Sequence, residues 1–153
     1  MQRAVVPVGT QADDTEAINQ YQVAYNLSAD SWCGFFGQNN NWYSGSNNTT
    51  YYLQDAWVAA TYKNSYTELL SSWKEIRQES EKTGSMEVFA LAQILKISAW
   101  HKTLETFGPI PYTHAGEPAL VIPFDSEKDA FNAMFADLTA AIEILTARAE
   151  QGA

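Results

Sequence analysis

Basic residues are scarce in this sequence: nine Lys and Arg stand against eighteen Asp and Glu, for a net charge of −9. That excludes the clustered cationic surface that displaces counterions from a phosphate backbone. Cysteine is almost absent as well. Cys33 stands alone, so neither an internal disulfide nor an all-cysteine metal site can form. No run of about eighteen apolar residues occurs, so no segment is expected to span a membrane. The opening MQRAVVPVGTQADD lacks the apolar centre of a signal peptide. A phosphate-binding glycine loop and a nucleophile elbow are missing too. What remains is a chain of 153 residues, 46% hydrophobic and 18% charged, enough to bury one ordinary core.

The apolar periodicity is helical almost throughout. Asp13 and Glu16 have capping-box spacing ahead of Ile18, Tyr21, Ala24 and Tyr25, a first helix that fades near Ser28. Residues 31–52 lose the period and read as a long polar loop rich in aromatics. A second helix is expected over 55–82, with Tyr62, Tyr66, Leu69, Leu70, Trp73 and Ile76 on one stripe. After the turn KTGS, Ser85 is the expected N-cap of a third helix. Val88, Leu91, Ala92, Leu95 and Ala99 form one of its faces and further apolar residues fill others, so it should be the buried centre. Gly108 in a left-handed conformation, followed by Pro109, stops that helix. Ser126 and Asp129 form a second capping box, and Phe131, Phe135, Leu138, Ile142 and Leu145 carry a stripe to about Arg148, turned toward the preceding pair. The fold class is therefore all-α, with antiparallel helix pairs in a solenoid-like stack over a single region, 1–153.

Few residues offer chemistry. His101 and Glu105 lie one turn apart on a helix, but no third ligand accompanies them, and the histidine reads as the edge of a packed helix. His114, in the turn FGPIPYTHAGEP with its three prolines, has no nucleophile or carboxylate at a recognisable spacing and reads as a turn residue. No catalytic residue, metal site or cofactor is expected. The loop is more informative. QNNNWYSGSNNTTYY holds five asparagines and four aromatics in fifteen residues, which joins flat apolar faces to short amides. Sugar rings need that pairing, because their C–H faces stack on an aromatic while their hydroxyls bond to amides. Trp42 is the expected stacking platform, Tyr43 a second aromatic surface, and Asn41 and Asn47 the hydroxyl partners. The alternative is a solvated loop whose Trp42 and Tyr43 tuck back onto the protein. Asn47 and Asn48 also begin Asn-x-Thr sequons, which matter only in a eukaryotic secreted protein.

The stretch FGPIPYTHA followed by PFDSEKDAFNAMFADLTAAIEIL resembles the SusD/RagB family of outer-membrane lipoproteins. There a helix ends in aromatic-Gly-Asp-Ile-Pro-Tyr-Ser/Thr-Glu-Ala, and a Tyr/Phe-Asp-Ser helix start and an Asp-Leu-x-x-Ala helix follow. Phe107, Gly108, Ile110, Pro111, Tyr112, Thr113 and Ala115 match the first motif. Phe124, Asp125, Ser126, Asp137, Leu138 and Ala141 match the second. Pro109 stands where the family usually has Asp, and His114 where it usually has an acid, although the helix stop survives both changes.

The resemblance covers residues 21–147 and implies tetratricopeptide-like helix pairs. It also implies non-enzymatic capture of a nutrient, usually a glycan, at the outer face of a Gram-negative outer membrane. The ligand would pass to a SusC-like TonB-dependent transporter, on which the protein acts as lid and receptor. Family members are longer, so this chain corresponds to their N-terminal portion, and Cys33 is too deep in the sequence to be their lipid-modified cysteine. A peptide in place of a glycan, a cytosolic helical adaptor, and an all-α hydrolase or metalloenzyme using His101 or His114 are the rival readings.

Overall fold

Among the residues that the computed structural model describes, 1–6 and 21–152, the backbone is helical or looped, and its only strand-like pairing is an isolated bridge between Ile110 and Asp125. The all-α expectation holds. The chain divides into two units, Gln2–Asn64 and the part from Ser65 onward.

The first unit holds a single α-helical turn, Gln2–Val5, a π-helix, Gln22–Asp30, and helix α1, Asp55–Lys63. The expected capping residues Asp13 and Glu16, with Ile18, lie outside the described residues. Ala24 and Tyr25 are buried where the π-helix packs on α1, and the helical course continues past Ser28 through Asp30. Thr61 donates its hydroxyl to the carbonyl of Ala24, and Asn64 donates to the Tyr25 hydroxyl at 2.7 Å. Burial pushes the Tyr25 phenol up to about 12, against the opposing bond from Asn64.

The second unit is built on helices α2, Leu70–Thr83, α3, Met86–Phe107, and α4, Glu127–Glu150. Ahead of α2 lies a π-helical turn, Asn64–Leu69, where the sequence predicted uninterrupted α-helix. The extra residue per turn rotates the stripe, so Leu69 and Trp73 are buried while Tyr66, Leu70 and Ile76 are half-buried. Gly84 adopts the left-handed conformation between α2 and α3. Ser85 occupies the N-cap position of α3 but makes no side-chain capping bond.

Helix α3 is the centre of its unit, packed against both α2 and α4, as its all-round apolar character predicts. The buried set differs from the predicted face. Ala90, Ala92, Gln93, Lys96, Ala99, Trp100, Thr103 and Leu104 are buried, whereas Val88 and Leu91 are about half exposed, at 48% and 54%. Small residues let the neighbouring helices approach, and the polar members each meet a partner surface. The hydroxyls of Thr103 and Ser65 share a bond of 2.6 Å, and Trp73 donates to the Gln93 amide oxygen at 2.6 Å.

Helix α4 buries Ala130, Met134 and Ala141, while Phe135 and Ile142 of the predicted stripe are 64% and 52% exposed. The fully buried positions are thus not those of the predicted stripe, of which Phe131, Leu138 and Leu145 are half-buried. Against the same expectations, α4 also has the length and apolarity of a membrane span, with a mean hydropathy of 1.3 over its best window. Alanines interspersed among the larger residues produce that value, and the helix packs on α3.

The proline-rich turn is stitched to the start of α4. Gly108 has φ 75° and ψ −134°, a glycine-only region rather than the left-handed helical one, and its N–H closes the last turn on the Leu104 carbonyl at 2.8 Å. Asp125 N–H donates to the Ile110 carbonyl at 2.9 Å. In return the Asp125 carboxylate accepts from Tyr112 N–H at 2.7 Å, Thr113 N–H at 2.8 Å and the Thr113 hydroxyl at 2.6 Å. Partial burial opposes ionisation of Asp125, but the bonds from Thr113 and Tyr112 outweigh it and hold the carboxyl below its usual range. Ser126 then caps α4, accepting from Asp129 N–H at 3.1 Å and donating to the Asp129 carboxylate at 2.7 Å.

Candidate functional site

The asparagine- and aromatic-rich loop of the first unit is not shapeless. Two short 3-10 turns, Trp42–Gly45 and Asn48–Thr50, organise it. Asn47 sits between them, fully buried, and uses its whole amide on the loop itself. Its Nδ2 donates to the Trp42 carbonyl at 2.7 Å and to Gln38 Oε1 at 3.0 Å. Its Oδ1 accepts from Thr49 N–H at 3.0 Å and from the Thr49 hydroxyl at 2.6 Å. Two donors and two acceptor positions are all an amide has, so none is left for a hydroxyl partner. The Asn47 amide is thus taken up by its own loop.

Trp42 is half-buried and lies parallel to Trp57 of α1, with ring centroids 5.2 Å apart and planes 8° from parallel. Tyr43 meets both indoles edge-on at 5.2 Å and remains 58% exposed. Trp42 packs back on Trp57, while Tyr43 keeps an open face. Tyr43 and Ser44 both have φ 51°, and Tyr51 has φ 58°, a left-handed conformation costly for residues with a Cβ. The cost is on the order of 1–2 kcal/mol each. Thr50 offsets part of it by donating to the carbonyls of Gly45 and, at 2.8 Å, Asn47. Asn41 is exposed, and its side-chain amide makes no hydrogen bond among the described residues.

Beside Trp42 opens a cavity of about 370 Å³. Gln22 and Asn26 of the π-helix, Gln38 and Thr49 of the loop, and the apolar surfaces of Leu27 and Phe36 line it together with Trp42. Gln22, Asn26, Gln38 and Phe36 were not singled out from the sequence, because amides on a helix and in a run of polar residues carry no spacing signal. An aromatic wall facing several neutral amides can stack one apolar ring face and bond polar groups at its edge, without charge.

Both histidines belong to the second unit. His101 Nδ1 lies 3.0 Å from the Ile97 carbonyl within its own helix. His114 pairs with Glu117 at 2.9 Å on the surface, and that bond raises its pKa above the usual histidine value. Among the described residues no group of His, Cys, Asp and Glu has the arrangement of a metal site.

The fold is all-α and tetratricopeptide-like, with an organised aromatic loop. The chain belongs to the SusD-like family described as Susd and RagB outer membrane lipoprotein, whose model matches residues 1–153. Among solved structures, a chitin-binding SusD homolog from Flavobacterium johnsoniae is similar at 30% identity and a TM-score of 0.78, over 99% of this chain and 30% of that one. BT1043 is 31% identical with a TM-score of 0.70, over 94% of this chain and 28% of its own. A SusD-like protein from Bacteroides thetaiotaomicron VPI-5482 is 25% identical with a TM-score of 0.67, over 87% and 29% respectively. The chain thus spans about 30% of the length of the first of these relatives. No curated protein matches it.

Proposed function

We propose that this chain is the N-terminal portion of a glycan receptor at the outer membrane surface, and that it binds without chemistry on the ligand. Trp42 would stack a sugar ring, Tyr43 would offer a second aromatic surface, and Asn41 would bond ring hydroxyls. Asn47 would hold the Trp42 carbonyl and Gln38 in place. The observation that carries this reading is the amide-lined cavity beside the stacked Trp42–Trp57 pair. Kinship with a chitin-binding homolog supports it and makes N-acetylated glycans the first ligands to try. In the full-length protein a lipid anchor would hold the receptor at the extracellular face, and a SusC-like TonB-dependent transporter would take up what it gathers.

Affinity gels cast with chitin oligomers and other glycans test the reading on this chain and on a longer protein that contains it. Trp42→Ala is expected to weaken retention about tenfold, the loss of one stacking contact. Equal retention of variant and parent on a glycan that the parent binds would remove the loop from the site. Retention of peptides with silence across glycans would replace the glycan by a peptide ligand.

A further inference from the structure

A second cavity, of about 330 Å³, lies wholly within the second unit, among α2, α3, α4 and the proline-rich turn. Lys96 of α3 lines it while only 4% exposed. Its ammonium lies 4.2 Å from the ring centroid of Trp73, 4.1 Å from that of Tyr112 and 4.9 Å from that of Trp100. Among the described residues it makes no hydrogen bond and no ion pair. Ring faces stabilise a cation but accept no hydrogen bond of ordinary strength, so its three N–H donors have no protein acceptor. Gln93, 6% exposed, lines the same cavity, and its amide oxygen is taken by the Trp73 indole, while its amide N–H groups have no protein acceptor.

The other charged groups on the wall are Arg77, whose guanidinium lies 5.8 Å from the Trp73 ring centroid, and Asp137. Asp137 already accepts from the Tyr112 hydroxyl at 2.6 Å. Arg77 in turn donates to the Glu81 carboxylate at 2.9 Å, so Lys96 is the cation on the wall left without an ion pair among the described residues. Donors that face a cavity without a protein acceptor are open to a guest, and an incoming carboxylate supplies them with charged acceptor oxygens. The walls add a requirement of their own: Trp73 and Phe89 present apolar ring surface, which suits a guest with a C–H face.

We propose that this cavity is a second ligand site, one that takes a carboxylate-bearing sugar ring of the hexuronate class, with Lys96 and Gln93 donating to the carboxylate and Trp73 packing on the ring. The sugar in this assignment rests on the glycan reading above, while the preference for a carboxylate rests on the cavity alone.

The test is a titration of the 153-residue chain with methyl β-glucuronide and with its neutral counterpart, methyl β-glucoside, followed at the indole N–H resonance of Trp73. The glucuronide is expected to shift that signal saturably and at least tenfold more tightly than the glucoside. Lys96→Met should abolish the preference. Ala140→Phe, which blocks the cavity wall at an exposed position without removing a charge, should abolish the shift with either sugar, and it decides the matter if the Met variant does not fold. Equal binding of the two glycosides, or a preference that survives Lys96→Met, overturns the carboxylate assignment. Acetate alone binding as tightly as the glucuronide overturns the sugar. Failure of the loop reading registers separately, at the indole signals of Trp42 and Trp57.

Discussion

Replacing Lys96 by Met should make this protein more stable, not less. Methionine nearly reproduces the aliphatic length of lysine and packs well against aromatic rings, so the substitution removes the charge with little change in volume. Burial lowers the Lys96 pKa from 10.5 to about 8, with the Asp137 charge opposing the shift and Arg77 reinforcing it. That displacement corresponds to about 3 kcal/mol spent at neutral pH on keeping the ammonium inside. The surrounding rings return about 0.5–2 kcal/mol. The variant should therefore gain about 1–2 kcal/mol at pH 7.

The sign fixes the pH dependence. Because the folded pKa lies below the unfolded one, the unfolded chain binds the extra proton between about pH 8 and 10.5. The parent's stability with respect to this group therefore rises through that window, and the penalty is complete below it. Tyr25 and Tyr112, whose phenols are raised chiefly by burial, push the other way above their unfolded value of 10.0, but equally in both proteins. Guanidinium denaturation of parent and variant at pH 7 and pH 10, read by tryptophan fluorescence, isolates Lys96 as the difference between the two curves. A variant less stable than the parent at pH 7, or a difference that does not narrow at pH 10, would refute the reasoning.

Asp125→Ala removes three hydrogen bonds that tie the proline-rich turn to α4, and should cost about 2–3 kcal/mol by denaturant titration. Since the Asp125 pKa is held below its ordinary 3.8, its contribution should persist above that pH and disappear as acid protonates the folded state, a slope absent from the variant. Asn47→Ala leaves the Thr49 N–H and the Trp42 carbonyl without their partner, and hydrogen exchange at the Thr49 and Thr50 amides should accelerate by at least tenfold while α3 is unaffected. Gly108→Ala places a Cβ at φ 75°, 3.1 Å from the Glu127 carboxylate, and a loss of about 1–3 kcal/mol should appear as a lower melting temperature; an unchanged value would show that the turn relaxes freely.

The stop of α3 and the start of α4 were legible in the chain, because those signals are local. Gly108 with Pro109 stops α3, Ser126 with Asp129 starts α4, and the chemistry of each lies within a few residues. The motifs that carry the family resemblance were legible too, and their physical content is the mutual bonding of Tyr112, Thr113 and Asp125, with Tyr112 reaching on to Asp137. Which face of each helix is buried was not. On α4 the period of Phe135 and Ile142 is as good as that of Ala130, Met134 and Ala141, and only the close approach of α3 selects the smaller residues. Likewise nothing in the run of asparagines distinguishes Asn47, whose amide is consumed by its own loop, from Asn41, which stays open. The sequence by itself determined an acidic, all-α chain of this family with one aromatic and amide-rich loop. Tertiary structure alone decided that Lys96 lies among three rings and beside an open cavity, because that environment is assembled from helices whose spacing no local pattern encodes.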